Sequence, residues 1–353
     1  MFDNNIINYV LKVELAKCFD NLGTVYLAQH RPTKKHVAVK KFLVEDLKND
    51  IGFLMDEAKQ LREFDHPNIL SYHTIFVHYL ELYFVLPLMC YGSCKDTMSN
   101  YFETGFPEPI LVCILRDILH GLVYLHWKGY IHRSIRASHV FLNETRAVIG
   151  GFRVCTSFLG EGKRIRTLHD LPPHSVKSLN WLAPEVLAQN LTGYTEKSDV
   201  YSLAMTAYEM ANGAEPYYKI TATLILAEKL KGGVYLPMLL DATTVPNEDG
   251  PSSETASPLR QIYVSRQFSD ALHNFAETCS ERDPKNRPSA SALLSHPVFK
   301  LVTHTNIKEQ FAQHCIQKVD FDSIQDSDIN LQDSFSQMCV EAGSSFEWDF
   351  DDS

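Results

Sequence analysis

Long hydrophobic runs are missing from the 353-residue sequence: no stretch of about 20 uninterrupted apolar residues occurs, and Met1 to Val10 carries no basic cluster leading into an apolar segment. That pattern argues against a secreted or membrane-spanning chain and leads us to expect a cytosolic or nuclear address. A cysteine framework is missing too: the eight cysteines are scattered, and the one tight pair, Cys90 and Cys94, has neither a second pair nor a histidine at zinc-site spacing. Reduced thiols are expected. Positive charge is absent from the end of the sequence: from Val319 to Ser353 there are ten acidic residues and no Lys or Arg. Those ten account for the whole net charge of −10, because the other 33 acids balance 33 basic residues. A formally neutral body gives no support to nucleic-acid binding.

What is present is ordinary for a soluble globular protein, 45% hydrophobic and 22% charged residues. Residues 10 to 45 alternate in the strand manner, with Val25, Leu27, Val37 and Val39 on either side of the turn-forming His30-Arg31-Pro32-Thr33. Asp50 to Phe64 has helical spacing through Ile51, Leu54, Ala58 and Leu61, and Leu82 to Leu86 reads as a buried strand. The rest is helical: Ile110, Ile114, Leu115, Ile118, Leu122 and Leu125 share a helix face stopped by Gly129, and a second helix starts on a capping Asp199 and ends at Asn212-Gly213. The expected fold is α+β, a small β-rich lobe and a larger helical lobe over residues 9–300. Residues 241–261, rich in Asp, Thr, Pro, Asn, Gly and Ser, read as a mobile insert. Residues 301–353 form an extension, helical at first, then disordered and acidic, ending in the aromatic cluster Phe346, Trp348, Phe350.

Val37-Ala38-Val39-Lys40 is followed 17 residues later by Glu57 on the predicted helix. Alone this is a weak signal, since such pairs are commonly solvent-exposed and worth under about 1 kcal/mol. The later segments change that: Tyr130-Ile131-His132-Arg133, Trp181-Leu182-Ala183-Pro184-Glu185, Ser198-Asp199-Val200-Tyr201-Ser202 and Asp283-Pro284-Lys285-Asn286-Arg287-Pro288. In that order and spacing they resemble the protein kinase motifs. The resemblance implies a nucleotide held by Lys40 and Glu57, with Val25, Ala38, Leu86 and Leu88 around it. It also implies a structural Glu185–Arg287 pair, and Asp199 bound to backbone near the catalytic loop.

The departures carry the functional argument. Where the kinase pattern has His-Arg-Asp, this chain has His132-Arg133-Ser134. A serine hydroxyl is no base near pH 7, and positioned acid–base help is worth about 10² to 10⁴ in rate. His139 stands where the pattern has a metal-binding asparagine, and imidazole suits magnesium poorly. The Asp-Phe-Gly motif reads Gly151-Phe152-Arg153, so the acid that holds magnesium is absent. Arg136 and Arg153 are candidates to meet phosphate charge instead. The glycine-rich loop is reduced to Gly23.

His132-Arg133-Ser134 with Ala137-Ser138-His139, Gly151-Phe152-Arg153, Leu168-His169-Asp170-Leu171-Pro172, Ser175-Val176-Lys177 and Trp348-Asp349-Phe350 together resemble the Ste20-kinase-related adaptor (STRAD) pseudokinases. That resemblance implies binding of ATP and no phosphotransfer, and the missing metal ligands lead us to expect ATP held without magnesium. It also implies activation of a serine/threonine kinase of the liver kinase B type, in a complex with a helical-repeat scaffold like calcium-binding protein 39. Trp348, Asp349 and Phe350 are the expected scaffold-docking residues. A weakly active kinase and a scaffold that binds no nucleotide are the alternatives.

Overall fold

The first third of the chain builds an antiparallel sheet from β1 (Tyr9–Cys18), β2 (Gly23–His30), β3 (His36–Leu43), β4 (Thr74–His78) and β5 (Glu81–Leu86), in the order β1-β2-β3-β5-β4. The structure, a computed structural model, describes residues 2–47, 50–160, 163–173, 175–232, 237–245, 258–303, 305–319 and 321. These fall into two units. The first takes in the chain up to Glu63, Ser71–Leu88 and the residues from Val319; the second takes in Phe64–Leu70 and Met89–Lys318.

In the first unit the strands carry apolar residues on both sides, and one face of the sheet is covered by an apolar cluster. Tyr9, Ala28, Val37, Val39, Phe76, Tyr83 and Val85 pack into one cluster, topped by Phe2, Ile6 and Leu11. On the opposite face cross-strand register pairs Leu27 with Ala38, Val25 with Lys40, and Ala38 with Leu86. Directly paired residues lie on the same side of a sheet. Val25 and Leu27 therefore face away from Val37 and Val39. Helix α1 (Ile51–Glu63) follows the expected spacing and buries Leu54, Ala58 and Leu61, while Ile51 at its start stays exposed.

The second unit is helical. Its central element is α3 (Glu108–Lys128), preceded by α2 (Cys94–Tyr101), which is capped by reciprocal Ser93–Asp96 hydrogen bonds. The predicted face of α3 is buried, and so are Leu111, Val112, Cys113 and Leu119 on its other sides. By length and composition α3 could cross a membrane, but 72% of its apolar window is buried inside the protein, the environment of a core helix. Gly129 ends it with φ 83°.

Helix α4 (Lys197–Asn212) is buried along nearly all its length and closed by Gly213 at φ 72°. It begins two residues before the expected cap, with Asp199 inside the first turn, and the Asp199 carboxylate takes the other expected role, accepting the catalytic-loop backbone. The expected pair is present, with Arg287 donating to both oxygens of Glu185 at 2.5 and 2.7 Å in a fully buried setting. Losing one partner of such a pair costs about 3–5 kcal/mol, because the other charge is left buried alone. On α5 (Ala222–Lys231), Lys229 points inward and donates to the carbonyls of Leu179, Asn180 and Leu182.

The segment read as an insert, 241–261, is described at its two ends. Asp241 is fully buried in a turn, accepting from the amides of Thr243 and Phe268 and from His273, and a helix runs over Pro258–Ser265. Residues 246–257 lie outside the described residues. The extension forms the expected helix, Ile307–Gln313, capped by the Asn306 side chain.

Candidate functional site

The predicted site residues fall into the two units. In the sheet unit, Val25, Ala38, Lys40 and Leu86 share one face by register. Leu86 is buried, while Val25 and Ala38 are half-buried. Lys40 Nζ lies 3.9 Å from Oε1 of Glu57, which is 5% exposed and also accepts from the Tyr72 hydroxyl at 3.0 Å. Burial and the Glu57 charge push the Tyr72 phenol well above its usual range, so it stays a donor and braces the carboxylate. Leu88 is half-buried against the Val13–Leu27 pair.

The turn joining β1 to β2 carries side chains where a glycine-rich loop would be bare. Phe19, Asp20 and Asn21 all take left-handed φ values of 58°, 58° and 67°, and Phe19 sets its ring edge-on against Phe42 at 5.5 Å. Left-handed backbone is costly for a bulky residue such as phenylalanine. Gly23 is explained by packing: a Cβ there would fall 2.3 Å from the ring of Phe42, its cross-strand partner. The glycine that the sequence offers as the relic of a phosphate loop is required by its neighbour.

In the helical unit, strand β6 (Tyr130–Ile131), paired with β7 (Thr156–Ser157), delivers the chain into the catalytic loop. Asp199 accepts the amides of His132 at 2.9 Å and Arg133 at 2.8 Å, which fixes Arg133 at its left-handed φ of 63°. Burial pushes the Asp199 carboxyl up, but hydrogen bonding and charge from His126 outweigh it and leave it below the usual value. His132 is fully buried; its Nδ1 accepts from the Ser134 amide and its Nε2 donates to the Gly150 carbonyl at 2.9 Å. Burial lowers its pKa to about 4, so it is a neutral structural ring.

Ser134, His139 and Gly151 form one cluster. The Nδ1 of His139 lies 2.9 Å from the carbonyl and 3.0 Å from the hydroxyl of Ser134, while Arg136 donates to Nε2 from two guanidinium nitrogens at 3.3 and 3.0 Å. A carbonyl can only accept and a guanidinium can only donate, so the ring is neutral with its proton on Nδ1. Its one lone pair is turned to Arg136. Gly151 has φ 76°, and a Cβ there would lie 2.5 Å from Cγ and Nδ1 of His139. The imidazole fills the space that any side chain at 151 would need. Arg136 also lies over the Trp181 ring, 5.7 Å from its centre. Arg153 is half-buried on a one-turn 3-10 helix, Phe152–Val154, beside Phe152, whose ring meets His132 edge-on at 4.8 Å. Trp348, Asp349 and Phe350 lie outside the described residues.

One functional contact escapes the sequence. Arg133, 7% exposed, donates to the Asp170 carboxylate, to the Tyr194 hydroxyl at 3.0 Å and to the Val154 carbonyl at 2.6 Å. Burial pushes the Asp170 carboxyl up, yet the Arg133 hydrogen bond and charge outweigh it and hold it below normal. In kinases regulated by phosphorylation an added phosphate orders the activation loop through an arginine. Here an encoded carboxylate does the pairing. Only the acid at 170 hinted at this, and nothing in linear spacing joins it to Arg133.

The fold and these motifs define a protein kinase domain, and the family profile of that description matches residues 21–299. The chain is 40% identical over 316 residues to mouse STE20-related kinase adapter protein alpha, covering 83% of this chain and 73% of the relative. It is 40% identical to the bovine alpha protein (83% and 84% covered) and 36% identical to the human beta protein (84% and 76% covered). The chain belongs to the STE20-related kinase adapter family, and is a kinase-like adaptor.

Proposed function

We propose that the chain is a catalytically inactive adaptor that holds ATP without ordinary magnesium ligation and, in that state, activates a serine/threonine kinase of the liver kinase B type. The observation that carries this is the Ser134–His139–Gly151 cluster. At the three positions where phosphoryl transfer needs carboxylates and an amide oxygen there is a hydroxyl, a neutral imidazole already engaged by Arg136, and a glycine whose missing side chain is replaced by that imidazole. A base and two metal ligands are lacking.

ATP fits the residues of the sheet face. A half-buried apolar strip, Val25, Ala38 and Leu86, suits a purine, and the Lys40 ammonium, braced by Glu57, suits phosphate. Arg136 and Arg153 remain the candidate cations for phosphate in place of a metal. Bound nucleotide stiffens the domain, and a domain held in one arrangement shifts a partner kinase toward its active population. Asp170 on Arg133 contributes to the same end by holding the activation segment without phosphorylation. Trp348 and Phe350 anchor a helical-repeat scaffold like calcium-binding protein 39, with Asp349 between them, in the cytosol or nucleus.

The β1–β2 turn favours a second reading, a scaffold that binds no nucleotide, because Phe19, Asp20 and Asn21 bring side chains where phosphate-binding loops are bare. One experiment separates the readings. The partner kinase is reconstituted with scaffold, with and without this chain, while the chain's unfolding is followed with ATP in EDTA. Partner activation together with an ATP-induced rise in Tm supports the adaptor. Activation with no rise at millimolar ATP selects the nucleotide-free scaffold, and phosphorylation by the purified chain alone, lost on Lys40→Ala, makes it an enzyme.

A further inference from the structure

The face of the sheet that carries Val25, Ala38 and Lys40 also carries Leu27, the cross-strand partner of Ala38. Leu27 is fully buried and Val13 beside it is 8% exposed. Part of their cover comes from far along the chain: Val319 and Phe321, with Leu15 and Leu88, pack against the Val13–Leu27 pair. The residues from Val319 group with the sheet, although the chain just before them, through Lys318, groups with the helical unit. Leu88 is both a nucleotide-site candidate and a member of this patch. Next along the same face, Val25 and Ala38 are half-buried and the Lys40 side chain is 24% exposed, so among the described residues Val319 and Phe321 border the accessible strip and do not fill it.

We infer that Val319 and Phe321 are specificity-determining residues of the nucleotide site: the C-terminal extension supplies an outer apolar wall for the purine. A purine lying on Val25 and Ala38 would complete its burial against the Leu15, Leu88 and Phe321 edge. Nucleotide binding then holds the extension to the sheet, and the docked extension raises nucleotide affinity by the same factor, since coupling between two binding events is reciprocal. Two roles compete with this one: a strap that stabilises the sheet without touching ligand, and a lid that keeps ligand out. The inference rests on the ATP reading above.

The test uses the full chain and ATP as the probe, with affinity measured by calorimetry for the wild type, Phe321→Ala and Phe321→Leu. Phe321→Ala is expected to bind ATP about fivefold more weakly, the effect of losing roughly 40 Å² of apolar contact. Phe321→Leu, which keeps an apolar side chain, should recover most of the loss, and in the wild type ATP should slow amide hydrogen exchange at Val319 and Phe321. Equal affinities for wild type and Phe321→Ala would leave a mere strap and overturn the inference while the ATP reading stands. Tighter binding by Phe321→Ala would make the segment a lid and overturn it as well. A wild type that binds no ATP would overturn the ATP reading, and this inference with it.

Discussion

The obvious way to rebuild a working magnesium site is Gly151→Asp, and the structure says that this change fails by itself. Position 151 has φ 76°, which costs a residue with a Cβ about 1 kcal/mol, less for Asp than for most. The new Cβ would sit 2.5 Å from the His139 ring, so the imidazole must leave. It then gives up its bonds to the Ser134 carbonyl and to Arg136, each worth about 1 kcal/mol net. The total is about 3 kcal/mol, a fall in Tm of roughly 6 °C at the sensitivity of a large domain. His139→Asn shortens the obstructing side chain, so Gly151→Asp should cost much less in that background. A double-mutant cycle by urea unfolding should give a coupling of about 2 kcal/mol in favour of the pair. Additive costs would refute the claim that the imidazole and the missing side chain occupy one space. The losses of Asn and Asp would then be independent events.

Three further expectations follow from the same contacts. Asp170→Ala should destabilise the protein by about 1 kcal/mol, modest because the carboxylate is 55% exposed, and should speed amide exchange at Leu168 and Tyr194, whose backbones pair with each other; unchanged exchange would remove Asp170 from its ordering role. Glu209 is fully buried, accepting from Trp181 Nε1 and the Ala137 amide, and burial raises its pKa to about 7 in spite of those bonds. Because the folded state holds this proton more tightly than the unfolded state, stability from this group is present below about pH 4.5 and lost as pH rises to 7, by up to about 3 kcal/mol. His132, lowered to about 4, acts in the opposite sense between pH 4 and 6.5, so the wild type should be nearly flat there while Glu209→Gln should gain stability with rising pH. Trp348→Ala should weaken scaffold binding by about 2 kcal/mol or more, read by titration with the scaffold.

The fold was largely legible because kinase motifs are long-range anchors with fixed order. Helix α3 was readable from its own periodicity, and the Glu185–Arg287 bond followed from the order of the motifs. What linear reading could not supply was the side-chain traffic within motifs. It marked Ser134, His139 and Gly151 as separate defects, whereas space and hydrogen bonds tie them into one. It kept Gly23 as a phosphate-loop relic, although the Phe42 ring is what forbids a side chain there. Asp199 was read in two ways, as a helix cap because aspartate favours that position and, through the motif resemblance, as the acceptor for backbone near the catalytic loop; the second is the role it takes, since the two loop amides reach its carboxylate. Val319 and Phe321 read as the polar tail's beginning, since two apolar residues show no periodicity that points to a distant strand.

Lys229, enclosed by three carbonyls and lying beside the Tyr201 and Tyr217 rings, is 2% exposed, and burial drives its amine well below the usual lysine range. Acylating reagents that modify surface lysines in minutes have no route to it in the native protein. Its labelling therefore times the opening of the helical unit itself, giving a built-in clock for rare unfolding that needs no engineered probe.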